Sequence, residues 1–209
     1  MEKNMMRQGC LNDFIDDIQD FLAALPADPP AGGLCTIVTT EATEALADLL
    51  DGLANCILDE FPAGNTALPL GFRAQIERLV CIIRLLANRV RAITCPDAAD
   101  CLEILNEVLC VLVEALAILI GIVIKLIVLL SFLGDDDNFF ECLVCSLIGE
   151  ITCLEESVRD LSCLIIALIS CDIEECTPCF VPTAAGKRPR VNINKNVCNS
   201  KNECSCKKH

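Results

Sequence analysis

Thiols are the chemistry this sequence offers. Its 17 cysteines can be oxidised to disulfides or, as thiolates, can hold a soft or borderline metal. An odd count leaves at least one thiol without a partner inside a monomer. The group Cys176, Cys179, Cys198, Cys204 and Cys206 supplies enough sulfur for a tetrahedral zinc site, although its spacing matches no zinc module. A copper(I) store is the softer-metal version of the same idea, and it requires thiols turned into a helical interior. Other chemistry is missing. The one histidine is His209, and there is no Cys/His dyad, HExxH pair, GxSxG elbow, P-loop or GxGxxG turn. Paired acids fall on helix faces, where water solvates them. The sequence therefore predicts a non-enzyme with no resident cofactor, and metal-thiolate binding stands as the alternative to a structural use of the cysteines.

Hydrophobic spacing decides what must position those thiols. Apolar residues recur at intervals of three and four along five segments, which predicts an all-α fold. Helix one spans about Cys10 to Leu25, with Leu11, Phe14, Ile18, Phe21 and Leu25 on one face. Helix two, about Glu41 to Glu60, carries Leu46, Leu50, Leu53 and Ile57. Helix three, about Phe72 to Thr94, carries Ile76, Leu79, Ile83, Leu86, Val90 and Ile93. Clusters of proline and glycine separate them. Cys95-Pro96-Asp97 is expected to open helix four, because proline suits a first turn and an acid there complements the helix dipole. Its seam runs Leu102, Leu105, Leu109, Leu112, Leu116, Leu119, Val123, Leu126, Leu130 and Leu133. The turn Gly134 to Asn138 follows, with Asn138 and Glu141 placed as a capping box. Helix five then carries Val144, Leu147, Ile151, Leu154, Val158, Leu161, Ile165 and Leu168. Two such helices, each about 50 Å long, are expected to fold as an antiparallel heptad hairpin on which the other three pack as a bundle. Residues 1–172 form that helical domain. Residues 173–209, with several prolines, five asparagines and five cysteines, form an irregular basic arm.

Turning each residue by about 100° places the helical cysteines away from the seams. On helix five, Cys142, Cys145, Cys153, Cys163 and Cys171 fall within about 80° of one another on the back of the helix, beside Glu156 and Asp160. Cys81 lies opposite the seam of helix three, and Cys110 lies far from that of helix four. Neighbouring cysteines on one helix diverge, so these seven look to another helix, the arm or another molecule. With Cys176, Cys179, Cys198, Cys204 and Cys206 they are the candidates for cross-linking.

Charge narrows the partners. Residues 187–209 carry seven lysines and arginines against Glu203, a net of +6, and since the whole chain is at −14 the remainder is at −20. Such a body repels nucleic acid, whereas the arm can dock on the body of a neighbouring copy. Helix four is the membrane candidate, carrying only Glu114 and Lys125 between Val108 and Leu133. Its longest uninterrupted run, Ala115 to Ile124, is half of what a span needs. Glu103, Glu107, Glu114 and Lys125 share a stripe with Gly121 opposite the leucines, which suits a buried bundle helix with one edge at solvent or at a subunit contact. The start of the chain reaches Asp13, Asp16 and Asp17 before any signal-like apolar run, so the protein reads as made in the cytosol.

In this style the chain resembles the cysteine-rich structural proteins of bacterial spore coats and exosporia. The resemblance rests on helices with scattered cysteines, the junction Cys171-Asp-Ile-Glu-Glu-Cys176-Thr-Pro-Cys179, and the Asn/Lys/Cys arm. It implies synthesis in a mother cell without a signal peptide, deposition on a surface, and cross-linking to itself or to other cysteine-rich coat proteins afterwards.

Overall fold

The computed structural model describes residues 9–24, 33–62, 71–96, 101–131 and 137–171. Among them are five α-helices and no strand: α1 (Gly9–Ala24), α2 (Thr40–Glu60), α3 (Phe72–Arg91), α4 (Leu102–Ser131) and α5 (Asp137–Ser170). A single 3-10 turn, Leu34–Thr36, precedes α2. The fold is all-α. Principal contacts run from α1 to α2, from α2 to α3, from α3 to α5, from α5 to α4 and from α4 back to α1.

Local signals account for the start of α2 and for both ends of α3. Thr39 caps α2, its Oγ1 accepting from the Ala42 N–H at 3.1 Å. Gly71 precedes α3 at φ 94°, a conformation that favours glycine. After Arg91, the Ala92 and Ile93 N–H groups bond back to the Arg89 and Val90 carbonyls at 3.1 Å and close the helix, three residues short of the expected Thr94.

Two expected starts are corrected. Helix four does not open at Cys95-Pro96-Asp97: Cys95 and Pro96 have no regular structure, and α4 begins at Leu102. Cys95 is instead drawn to Cys35 by a disulfide. Helix five starts at Asp137, so Asn138 lies within the helix and cannot be its N-cap.

The seams pack as their spacing requires. Leu11, Phe14 and Ile18 of α1, all four seam residues of α2, and all six of the third segment are buried. Every seam residue of α5 from Leu147 to Leu168 is buried as well, with Val144 half-buried against the core. On α4, Leu105, Leu112, Leu116, Leu119, Val123, Leu126 and Leu130 are buried, Leu109 is half-buried and Leu102 is exposed. Leu25 and Leu133 lie outside the described residues.

The buried face of α4 is wider than its seam. Ile104, Val108, Ala115, Ile122 and Leu129, each one residue before a seam position or its equivalent, are also buried. Two adjacent stripes thus face neighbours, as a helix held between two others requires.

Charged contacts stitch the helix pairs at their rims. Arg91 of α3 donates to Asp48 at 2.8 Å and to Asp51 at 2.9 Å, both on α2. Hydrogen bonds to Asp51 and Asp48 raise the Arg91 pKa above its ordinary value, so this guanidinium stays charged. Arg84 donates to Asn55 at 3.2 Å. Arg78 of α3 pairs with Glu155 of α5, and Lys125 of α4 pairs with Glu150 of α5.

Candidate functional site

Among the described residues, three disulfides join the helices at or near their ends. Cys10, the second residue of α1, is bonded to Cys56 in the last turns of α2. Cys35 of the 3-10 turn is bonded to Cys95 beyond α3. Cys101, just before α4, is bonded to Cys171, just after α5. Their Cα atoms are 6.1, 5.3 and 5.6 Å apart, which a disulfide spans without moving the backbone. The bridges close sequence separations of 46, 60 and 70 residues. In the chain-entropy account, loops of this size give about 4 kcal/mol each, before native-state strain is subtracted.

Cys171 ends α5 in the left-handed region at φ 53°. A helix commonly ends on such a residue, but usually on glycine or asparagine. Here a cysteine takes that conformation and turns the chain to meet Cys101, which is 1 % exposed.

The remaining helical cysteines divide by position. Cys81 on α3, Cys110 on α4 and Cys153 on α5 are free and exposed. Cys142 and Cys145 are half-buried near the start of α5. Cys163 is disulfide-bonded and packs its half-buried side chain against the core. The expected stripe on α5 is therefore not one surface: Cys153 faces out, Cys163 packs inward, and Cys171 closes a helix end.

Five bridged cysteines, Cys10, Cys35, Cys56, Cys95 and Cys101, were not among the residues that spacing selects for cross-linking. Their common signal is position along the chain. Cys35, Cys95, Cys101 and Cys171 all lie where a helix starts or stops, and ends of packed helices must come together. The candidates Cys176, Cys179, Cys198, Cys204 and Cys206 lie outside the described residues. Among those described, no group of three or more His, Cys, Asp or Glu side chains is placed to hold a metal ion.

The polar stripe of α4 is covered in part by α5. Glu103 and Glu107 are exposed, while Glu114, Gly121 and Lys125 are half-buried. Lys125 turns to Glu150, whose second oxygen, Oε2, would lie 3.8 Å from a Cβ added at Gly121. The ion pair covers part of what reads in sequence as an outward edge. By length and composition α4 could cross a membrane, with a mean hydropathy of 2.8 over its most apolar stretch. The same test is passed by core helices of soluble proteins, and the seam leucines of α4 from Leu112 to Leu130 are buried.

An apolar cavity of about 150 Å³ lies where α1, the 3-10 turn, α2, the end of α3 and α4 converge. Phe21, Val38, Leu46, Ile93, Leu112 and Leu116 are among its walls. Its polar wall residue, Thr43, spends its hydroxyl proton on the Thr39 or Thr40 carbonyl, at 3.2 and 3.0 Å. Nothing in that lining is equipped for acid–base or nucleophilic work. No protein family, curated protein or solved structure matches the chain.

Proposed function

We propose that this protein is a self-assembling structural protein whose copies are joined by disulfides into a surface layer, coat or fibre. The observation that carries the reading is a division among its thiols. Helix ends are tied within the chain, while Cys81, Cys110 and Cys153 stand free and exposed on three different helices. Bridges inside the molecule make a unit that survives outside the cell, and outward thiols give it several directions in which to bond. The five helices form a bundle on the long antiparallel α4–α5 hairpin with its heptad seams. That arrangement is supported by the Cys101–Cys171 bridge and the Lys125–Glu150 pair, which join residues at corresponding heights of oppositely running helices.

Synthesis in a reducing cytosol followed by oxidation on a cell or spore surface suits so high a cysteine content. The resemblance to spore coat and exosporium proteins supports layers of that kind. Copies of itself are its first partners, other cysteine-rich coat proteins its second, and the basic arm docks on the acidic body of a neighbour. Neither nucleic acid nor a membrane is its partner in this reading.

Electrophoresis of native material with and without reductant tests the proposal. Ladders or material too large to enter the gel are expected in SDS alone, collapsing to monomer with dithiothreitol. Monomer in SDS alone removes the covalent assembly.

A further inference from the structure

Helix α4 carries a second regular stripe, one residue after its leucine seam and about 100° round the helix. It reads Asn106, Cys110, Val113, Ala117, Ile120 and Ile124, and continues through Ile127 to Ser131 in unbroken steps of four and three. Asn106, Cys110, Val113, Ala117 and Ile124 are exposed, the last by 48 %, and Ile120 and Ile127 are half-buried along the inner edge. No position on the stripe is charged. That is unusual in a body at −20, where two copies meeting through most other faces bring carboxylates together.

We infer that this stripe is a self-association face, and that Cys110 forms a disulfide with Cys110 of a second copy across it. The inference rests on the assembly reading above and names one of its contacts. A seven-residue repeat of uncharged side chains is self-complementary when two helices run parallel, each residue meeting its counterpart. A two-fold axis along the paired helices sets Cys110 against its mate and does the same for Val113, Ala117 and Ile124. Asn106, polar in an otherwise apolar row, pairs with its own copy and fixes the register. One helix face is smaller than the roughly 800 Å² per partner that a stable complex buries. The contact is therefore weak until the thiols lock it. Locking needs an oxidant, here a small-molecule disulfide. The two Cys110 thiols lose two protons and two electrons as their Sγ–Sγ bond forms, and the oxidant's S–S bond breaks to release two thiols.

The test oxidises the full-length chain with oxidised glutathione and reads covalent dimer on non-reducing gels, for the native sequence, C110S, C81S, C153S and A117K. Circular dichroism checks that each variant is folded. The inference predicts dimer at a similar level in the native protein, C81S and C153S, a loss of most of it in C110S, where Cys81 and Cys153 remain to bond, and a loss of roughly tenfold or more in A117K, where a charge enters the contact. Undiminished dimer in C110S overturns the Cys110 contact while leaving disulfide assembly in place. Dimer unaffected by A117K shows that Cys110 reacts by exposure alone and overturns the face. Absence of any covalent oligomer in every sample removes the assembly reading together with it. If A117K instead abolishes sedimentation with phosphatidylcholine vesicles and leaves dimer unchanged, the face belongs to lipid and the inference is also overturned.

Discussion

The α2–α3 and α4–α5 pairs are built on the same leucine-rich spacing, yet they meet their surroundings differently. The rim of α2–α3 is charged: Arg91 sits between Asp48 and Asp51, and Arg84 reaches Asn55. Apolar residues on those helices are nearly all spent on the core, and Leu85 is the one large exposed exception among their described residues. Helix α4 is apolar beyond what its neighbours cover, leaving Val113 and Ile124 in solvent, and α5 adds Ile166 and Ile169. The first pair is finished as a surface. The second has apolar area left over, which in the proposed assembly another copy covers.

The sharpest way to break this contrast is within α4 itself. Leu119 is fully buried, whereas Ile124, five residues on, is 48 % exposed. Leu119→Ala is expected to cost about 2–5 kcal/mol in denaturant unfolding, through lost burial and the cavity left behind. Ile124→Ala is expected to cost less than about 1 kcal/mol in the reduced monomer. Equal costs would mean that α4 has no outward face.

A smaller effect separates the two pairs by how their ends are held. The start of α4 and the end of α5 are joined by a covalent bridge, while Arg91 at the end of α3 is held by ion pairs with α2. Changing both Cys101 and Cys171 to Ser is expected to lower stability by about 2–4 kcal/mol, read as a fall in Tm of the oxidised protein. In reduced protein the same double variant should unfold with the parent, because the bridge is then absent from both. A loss that persists under reduction would assign the two residues a packing role.

Much of the fold is legible in the sequence because burial leaves a period. Ile76, Leu79, Ile83, Leu86 and Val90 repeat at helical spacing, and each is buried. Helix starts are less legible, since they depend on contacts between distant residues. Pro96 suits a first turn, but Cys95 beside it is bonded to Cys35, and α4 begins only at Leu102. Thiol pairing is less legible still. Angles on a helix identify Cys81, Cys110 and Cys153 as outward, and all three are exposed. The same angles say nothing about Cys10 and Cys56, or Cys101 and Cys171, whose pairing follows from which helix ends meet in space. Orientation is local, and partnership is tertiary.

Peptide mapping of unreduced, assembled protein made from equal parts of isotope-labelled and unlabelled chains tests the central claim most directly. The account predicts that Cys10–Cys56, Cys35–Cys95 and Cys101–Cys171 join peptides of one label only. It also predicts mixed-label pairs that involve Cys81, Cys110 or Cys153. Mixed labels confined to the three helix-end bridges, or no mixed pair at all, would contradict it.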